Sequence, residues 1–282
     1  MILSIITVNR NNAAGLEKTM RSVLDQTETD FEYVVVDGAS TDGSVDVIKQ
    51  LAEGFGSRIR WVSEPDGGIY NAMNKGIGMA AGKYVQFLNS GDSLVSVDVI
   101  ERMYYELMNG GEPPILYGNM LKDMSGGDIV RDKCFAGREI TLLGLYVGTL
   151  NHSPAFIRRD LFAKYGLYDD TLRIVSDWKW FLKAIVFGEE KPVYSDVDVT
   201  LFDMTGVSET NKVLDRAERK KVLAEMVPET ILSDYDQWSF PIAQMKRFKR
   251  HPWAYKLVWF LERCLFKWER LRQRRTKTQV WL

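Results

Sequence analysis

Two cysteines, Cys134 and Cys264, are too few for a disulfide framework and fit a reducing compartment. Histidine is as scarce. His152 and His251 stand far apart, which argues against a His-rich zinc site and leaves a hard, oxygen-bound cation as the metal class to expect. No run approaches the roughly 20 apolar residues that a membrane-spanning helix requires. The opening stretch MILSIITVNRNN is apolar but short, with neither a basic leader nor a cleavage site, and it reads as a first buried strand. Internal repeats and low-complexity linkers are also missing.

What is present is an ordinary globular balance, 45% hydrophobic and 27% charged residues, which excludes disorder across the whole chain. A length of 282 residues suits one large domain or two small ones. The net charge of −1 conceals a separation: residues 244–282 hold twelve Lys and Arg against two Glu, so the rest of the chain is strongly acidic. Such a split predicts that the tail meets an anionic surface the body does not.

Along the first ninety residues, short β-branched runs alternate with helical spacings. Residues 2–8 and 33–36 read as strands buried on both faces, and residues 59–62 and 84–88 as a third and a fourth strand. Leu16, Met20, Val23 and Leu24 recur at helical spacing, and residues 41–44 offer turn and cap chemistry before a second helix. Residues 71–81 read as a third. Alternation of this kind implies parallel βαβ units in an α/β, Rossmann-like, doubly wound sheet with helices on both faces. Ligands of such sheets bind at the carboxyl ends of the strands. Those ends read Thr7-Val8-Asn9-Arg10-Asn11, Asp37-Gly38-Ala39-Ser40, Glu64-Pro65-Asp66-Gly67-Gly68 and Asn89-Ser90-Gly91-Asp92. All four are polar and rich in small residues, as loops that approach a ligand closely should be. Further on, residues 97–108 and 177–187 read as helices, and residues 115–117, 129–135, 154–157 and 193–202 as extended pieces. Charge-rich helical segments fill the remainder.

The four strand ends, with a later segment, resemble the family 2 glycosyltransferases of the GT-A fold. The matches are SIITVNRNN (4–12), FEYVVVDGASTDGS (31–44), SEPDGGIYNAMNKGIGMAAGKYVQFLNSGD (63–92) and HSPAFIRRDLF with IVSDWKWFL (152–182), in the family's order over about two thirds of the chain. The resemblance implies a bacterial, non-processive, inverting enzyme that binds a nucleotide-diphosphate-sugar and passes one sugar to a glycan or lipid-linked acceptor in surface polysaccharide synthesis. The added transmembrane helices and Gln-x-x-Arg-Trp motif of the processive synthases are missing. It also implies roles. Asp37 would accept from the nucleobase or ribose, favouring a UDP- or dTDP-linked donor, and Thr7, Asn9 and Arg10 would line base and phosphates. Asp66, Asn71, Asn74, Lys75 and Asn89 complete the donor side, with Lys75 answering diphosphate charge. Asp177, opening a helix, would be the catalytic base, with His152 and Trp178 on the acceptor side. Asn89-Ser90-Gly91-Asp92 stands where the family carries its metal motif, but Gly91 occupies the place of the usual ligand. Asp92 is left to hold Mg²⁺ or Mn²⁺ together with the donor's phosphates.

Each assignment has a plainer counterpart: Asp177 as a helix cap, His152 as a histidine bonded to backbone, the Asn71–Lys75 face as ordinary polar surface. At the level of function the alternatives are a nucleotide-sugar-binding protein without catalysis and a nucleotidyltransferase. The second would want a Gly-rich basic loop where Asn9-Arg10-Asn11-Asn12 stands. The expected domains are a catalytic domain at 1–205, with its donor half at 1–92 and acceptor half at 93–205, and a helical basic extension at 206–282. In that extension Trp253, Leu257, Phe260, Leu261, Cys264, Leu265, Trp268 and Leu271 share one helical face beside Lys256, Arg263, Lys267, Arg270 and Arg274. That pattern fits an anionic membrane surface met through residues 252–277, or packing on the body or a second subunit, and not nucleic acid. The location expected is cytoplasmic, peripheral on the inner face of the membrane.

Overall fold

The computed structural model describes residues 1–124, 128–204, 211–249 and 251–278. It forms two compact units, Met1–Leu223 and Ala224–Leu282. The first runs past the expected boundary at 205 and takes in most of a helix that sequence pattern had grouped with the extension.

Unit one is built on a nine-stranded sheet. Its leading strands are β1 (Leu3–Asn9), β2 (Phe31–Asp37), β3 (Ile59–Ser63) and β4 (Tyr84–Phe87). They are joined by α1 (Ala13–Leu24), α2 (Ser44–Phe55) and α3 (Ile69–Met79). After β4 come β5 (Ser93–Leu94), α4 (Val99–Asn109), β6 (Ile115–Asp123), β7 (Ile129–Asp132) and α5 (Leu142–Val147). Then follow β8 (Ala155–Arg158), α6 (Asp160–Tyr165), α7 (Ser176–Phe181), continued by a wider turn over Leu182–Phe187, and β9 (Val193–Phe202). Helix α8 (Lys212–Met226) closes the unit. The strand order is β3-β2-β1-β4-β8-β6-β9-β5, with β7 beside β6.

Every residue of β1 and β2 is buried, as expected of strands covered on both faces. On α1, Leu16, Met20 and Val23 are wholly buried at helical spacing, each contributing roughly 1.5–3 kcal/mol by leaving water. The helix starts at Asn12, whose side chain accepts from the Gly15 N–H at 3.1 Å. At α2 the cap is divided: Gly43 takes a φ of 95°, and the Asp42 carboxylate accepts from Ser44 N and from Ala13 N.

One feature of the sheet decides where the site forms. The pairs β3-β2, β2-β1 and β1-β4 are parallel, whereas β8 runs antiparallel to both β4 and β6. The residues that end β4 and those that precede β8 therefore meet at one sheet edge.

Unit two consists of the end of α8, α9 (Glu229–Lys249) and α10 (Pro252–Thr278). No helix among the described residues is long and apolar enough to cross a membrane.

Candidate active site

Register sets the ends of β1, β2 and β3 level, pairing Asn9 with Asp37 and Asp37 with Ser63. The Asp37 side chain is wholly buried. Its Oδ1 accepts from Asn9 Nδ2 at 2.8 Å and Ser40 Oγ at 2.6 Å. Its Oδ2 accepts from Ser63 Oγ at 2.6 Å and Ser40 N at 2.9 Å. Burial pushes the carboxyl up, but the hydrogen bonds from Ser40, Ser63 and Asn9 outweigh it and hold the group below its ordinary value.

Thr7 lies inside β1, its hydroxyl tied to Leu88 O at 2.7 Å and the Tyr33 hydroxyl at 2.8 Å. Arg10 reaches outward, 3.8 Å from Asp66 Oδ1. Asp66 is buried against Gly38, where any Cβ would collide with its carboxylate. On α3, Asn71 bonds Asp170 Oδ2 at 3.0 Å and receives Gly67 N at 3.2 Å. Asn74 grips the Tyr168 backbone in both directions. Lys75 pairs with Glu64 at 2.8 Å and donates to Pro65 O. This polar face clasps the loops at 64–67 and 168–170, so here the plainer reading accounts for the observed contacts.

The chemistry concentrates at Asp177. Its Oδ1 accepts from the Tyr70 hydroxyl at 2.8 Å, and its Oδ2 lies 3.0 Å from His152 Nδ1. His152 Nε2 is in turn 3.3 Å from Asn89 Nδ2 at the end of β4. Burial opposes charge on both partners of the pair. The contact outweighs it, raising His152 and lowering Asp177 relative to their ordinary values. The arrangement is a Tyr70–Asp177–His152–Asn89 chain, with Nδ1–H of the imidazole donating to the carboxylate. Trp178 is buried, its indole N–H bonded to Leu145 O at 2.8 Å, and it supports the site from within.

Asp92 is 3% exposed. Burial pushes its carboxyl up to about 6, against the pull of a hydrogen bond from Asp203 N at 2.9 Å and the charge of His152. A Cβ at Gly91 would stand 2.5 Å from Asp203 Oδ2. The space into which a side chain at position 91 would project is filled by a carboxylate arriving from beyond β9. Asp92 and Asp203 together are hard oxygen ligands at the place of the metal motif, and they fit a divalent cation completed by phosphate oxygens. Among the described residues no group of three or more His, Cys, Asp or Glu could hold a metal unaided.

Tyr70, Ser40, Ser63, Asp203 and Glu218 were not singled out from sequence. Glu218, on α8, accepts from Arg173 N, Ile174 N and Val175 N at 2.8, 2.9 and 3.3 Å, just before α7. Ser40, Ser63 and Tyr70 carried a local signal, lying within the quoted strand-end matches, whereas Asp203 and Glu218 had none.

The family described as Glycosyl transferase family 2 matches residues 4–166. A Mycobacterium tuberculosis protein, an uncharacterised glycosyltransferase, is 34% identical over 206 residues, 73% of this chain and 76% of that one. A PGL/p-HBAD biosynthesis glycosyltransferase of Mycobacterium bovis is 29% identical over 225 residues, 78% of this chain and 84% of that one. Among solved structures, Staphylococcus aureus TarS 1–349 with UDP-GlcNAc superposes with a TM-score of 0.63 at 19% identity, covering 80% of this chain and 72% of that one. The Pyrobaculum calidifontis mannosyltransferase PcManGT with GDP-Man and Mn²⁺ gives 0.62 at 18% identity, covering 95% and 82%. These two neighbours establish likeness of fold.

Proposed function

Because the chain belongs to glycosyltransferase family 2, we propose that it is an inverting enzyme that moves one hexosyl or related sugar from a nucleoside diphosphate to a glycan or lipid-linked acceptor. The observation that carries this reading is the buried Asp177, held by Tyr70 and His152 at the edge where β4 ends. In a single displacement the acceptor oxygen bonds to the anomeric carbon as the bond to the diphosphate breaks. The acceptor proton passes to Asp177, and the nucleoside diphosphate leaves with the bond pair. Asp177 is ionised at neutral pH, as a proton acceptor must be, and His152 keeps it oriented. Asp92, with Asp203 beside it, would hold the cation, which when bound offsets charge on the departing diphosphate.

The donor side rests on the saturated Asp37 cluster and on Arg10, whose exposed guanidinium, paired at 3.8 Å with Asp66, would turn toward phosphate oxygen. Neighbours of this fold bind UDP-GlcNAc in one case and GDP-Man in another, so the fold itself does not fix the base. The mycobacterial relative named for PGL/p-HBAD biosynthesis supports a surface-glycan setting.

On α10, Trp253, Leu257, Phe260, Leu261, Leu265, Trp268 and Leu271 are exposed on one face. Lys256, Arg263, Lys267 and Arg270 flank it, with Arg263 stacked 4.6 Å over Trp259 and Arg270 5.5 Å over Phe266. Such a helix lies well in the interface of an anionic membrane, each cation contributing about 1 kcal/mol there. A membrane contact of this kind would bring the enzyme to the surface where a lipid-linked acceptor is presented.

A panel of nucleotide-sugars, assayed for nucleoside diphosphate release with and without Mn²⁺, tests the enzymatic reading. One donor should turn over with metal, and Asp177→Asn should bind that donor yet lose about 10²–10⁴-fold in rate. Donor binding with no release from any sugar would favour a binding protein without catalysis.

A further inference from the structure

Helix α8 lies outside the segment that matches the family and carries no residue of the predicted site. Two adjacent side chains on it nevertheless hold the segment that delivers Asp177. Glu218 is buried, and its carboxylate takes the three successive N–H groups of Arg173, Ile174 and Val175. Arg219 lies 4.5 Å over the ring of Trp178 and donates to Gly148 O at 3.2 Å. One grip falls immediately before the first turn of α7 and the other immediately after Asp177. The backbone between them has little freedom left.

The arrangement is unusual for stability alone. A carboxylate removed from water needs compensation, and three backbone donors provide it, while the Arg219 guanidinium is held separately by Asp215, Trp178 and Gly148. Those donors belong to an irregular turn, Leu172–Val175, with no strand or helix ladder of its own to fix it. The turn that Glu218 shapes also contains Ile174, whose carbonyl shares the single proton of the Tyr70 hydroxyl with Asp177 Oδ1. Loss of the Glu218 contacts would therefore release both the backbone under Asp177 and the tyrosine that orients its Oδ1.

We propose that Glu218 and Arg219 are positioning residues, which through α8 set Asp177 at hydrogen-bond distance from His152. The proposal rests on Asp177 being the catalytic base, but its test does not. His152 is one of two histidines in the chain, so its imidazole gives one of two titrating signals in a nitrogen-15 spectrum of the full protein, and His251→Gln assigns them. In the parent protein the His152 signal should titrate above the ordinary imidazole range, because Asp177 stands against it. Glu218→Gln, which can offer one oxygen in place of two, should move that midpoint down toward the ordinary range while the amide spectrum stays folded. Arg219→Gln should move it the same way by a smaller amount, and it remains informative if the Glu218 variant does not fold. Glu218→Asp, which keeps the charge, should recover part of the shift. With a donor identified, Glu218→Gln should lower turnover about 10²-fold, the effect of a misplacement near 1 Å, and leave the donor KM unchanged. A folded Glu218→Gln or Arg219→Gln protein in which His152 titrates as in the parent overturns the proposal, whatever reaction the protein catalyses. Absence of any sugar transfer, with the His152 shift intact, would instead overturn the reading of Asp177 as a base and leave the clamp standing.

Discussion

Asp177 and His152 carry opposite shifts, and each has a consequence for stability with its own sign. His152 is raised, so the charged imidazole stabilises the folded chain below its unfolded pKa, and that contribution is lost as pH rises through the folded value. Asp177 is lowered, so its contribution is present above the unfolded carboxylate value of 3.8 and is lost as pH falls through the folded one. The pair stabilises most between these limits. Thermal unfolding followed across pH should show a decline as pH rises above the ordinary imidazole value that His152→Gln removes. At Asp92 the sign reverses, since burial has raised an acid to about 6 and its ionised form is disfavoured in the fold. Asp92→Asn should raise the melting temperature at pH 7.5, lose that effect as pH falls below the unfolded value of 3.8 where both states become protonated, and abolish metal-assisted turnover. A lower melting temperature at pH 7.5 would contradict the burial argument. Asp203→Asn should weaken Mn²⁺ binding by about tenfold, read by calorimetry in the presence of UDP.

Among the elements, the parallel strands and their polar ends were legible because short apolar, largely β-branched runs give way abruptly to polar residues at Asn9, Asp37, Ser63 and Asn89. The links between those ends were not. Tyr70 and Asp177 are 107 residues apart, and Asn89 and His152 are 63 apart. No periodicity within a window of ten or fifteen residues carries such a pairing. The polar face of α3 was legible as a face but not for its contacts: Asn71, Asn74 and Lys75 bond the loops at 64–67 and 168–170, which sequence spacing alone does not bring together. Asp203 could not be read either, because the cue was negative. Gly91 stands out as a missing carboxylate, and nothing nearby says where another enters. Close approach between elements gives a direct check on the sheet. A Cβ at Gly82 would meet Ser4 N at 2.6 Å and Leu3 C at 2.7 Å, both backbone atoms of the β1 region. Gly82→Ala should destabilise unit one by about 1–3 kcal/mol in denaturant titration, without changing which donor binds.

For the whole molecule, the charge separation seen in composition reappears as two units, an acidic one bearing the site and a helical one bearing the cations and exposed aromatics. Flotation with vesicles containing phosphatidylglycerol should carry the full chain. Arg263→Glu with Lys267→Glu should remove most of it, and pure phosphatidylcholine vesicles should bind weakly. A stable dimer whose formation protects Trp253 and Trp268, with no vesicle binding, would mean that the aromatic face meets a second copy instead. Salt should weaken the membrane contact as screening shortens from about 10 Å at 0.1 M to about 3 Å at 1 M.

The reversed direction of β8 has a practical corollary. With β6 and β8 hydrogen-bonded to each other, the chain that connects them, β7 and α5 included, starts and ends on neighbouring strands, and β1 to β4 all precede it. A cassette spliced from a relative between those two anchors would leave the four leading strands and their ends unaltered, which makes this connection the natural unit for grafting.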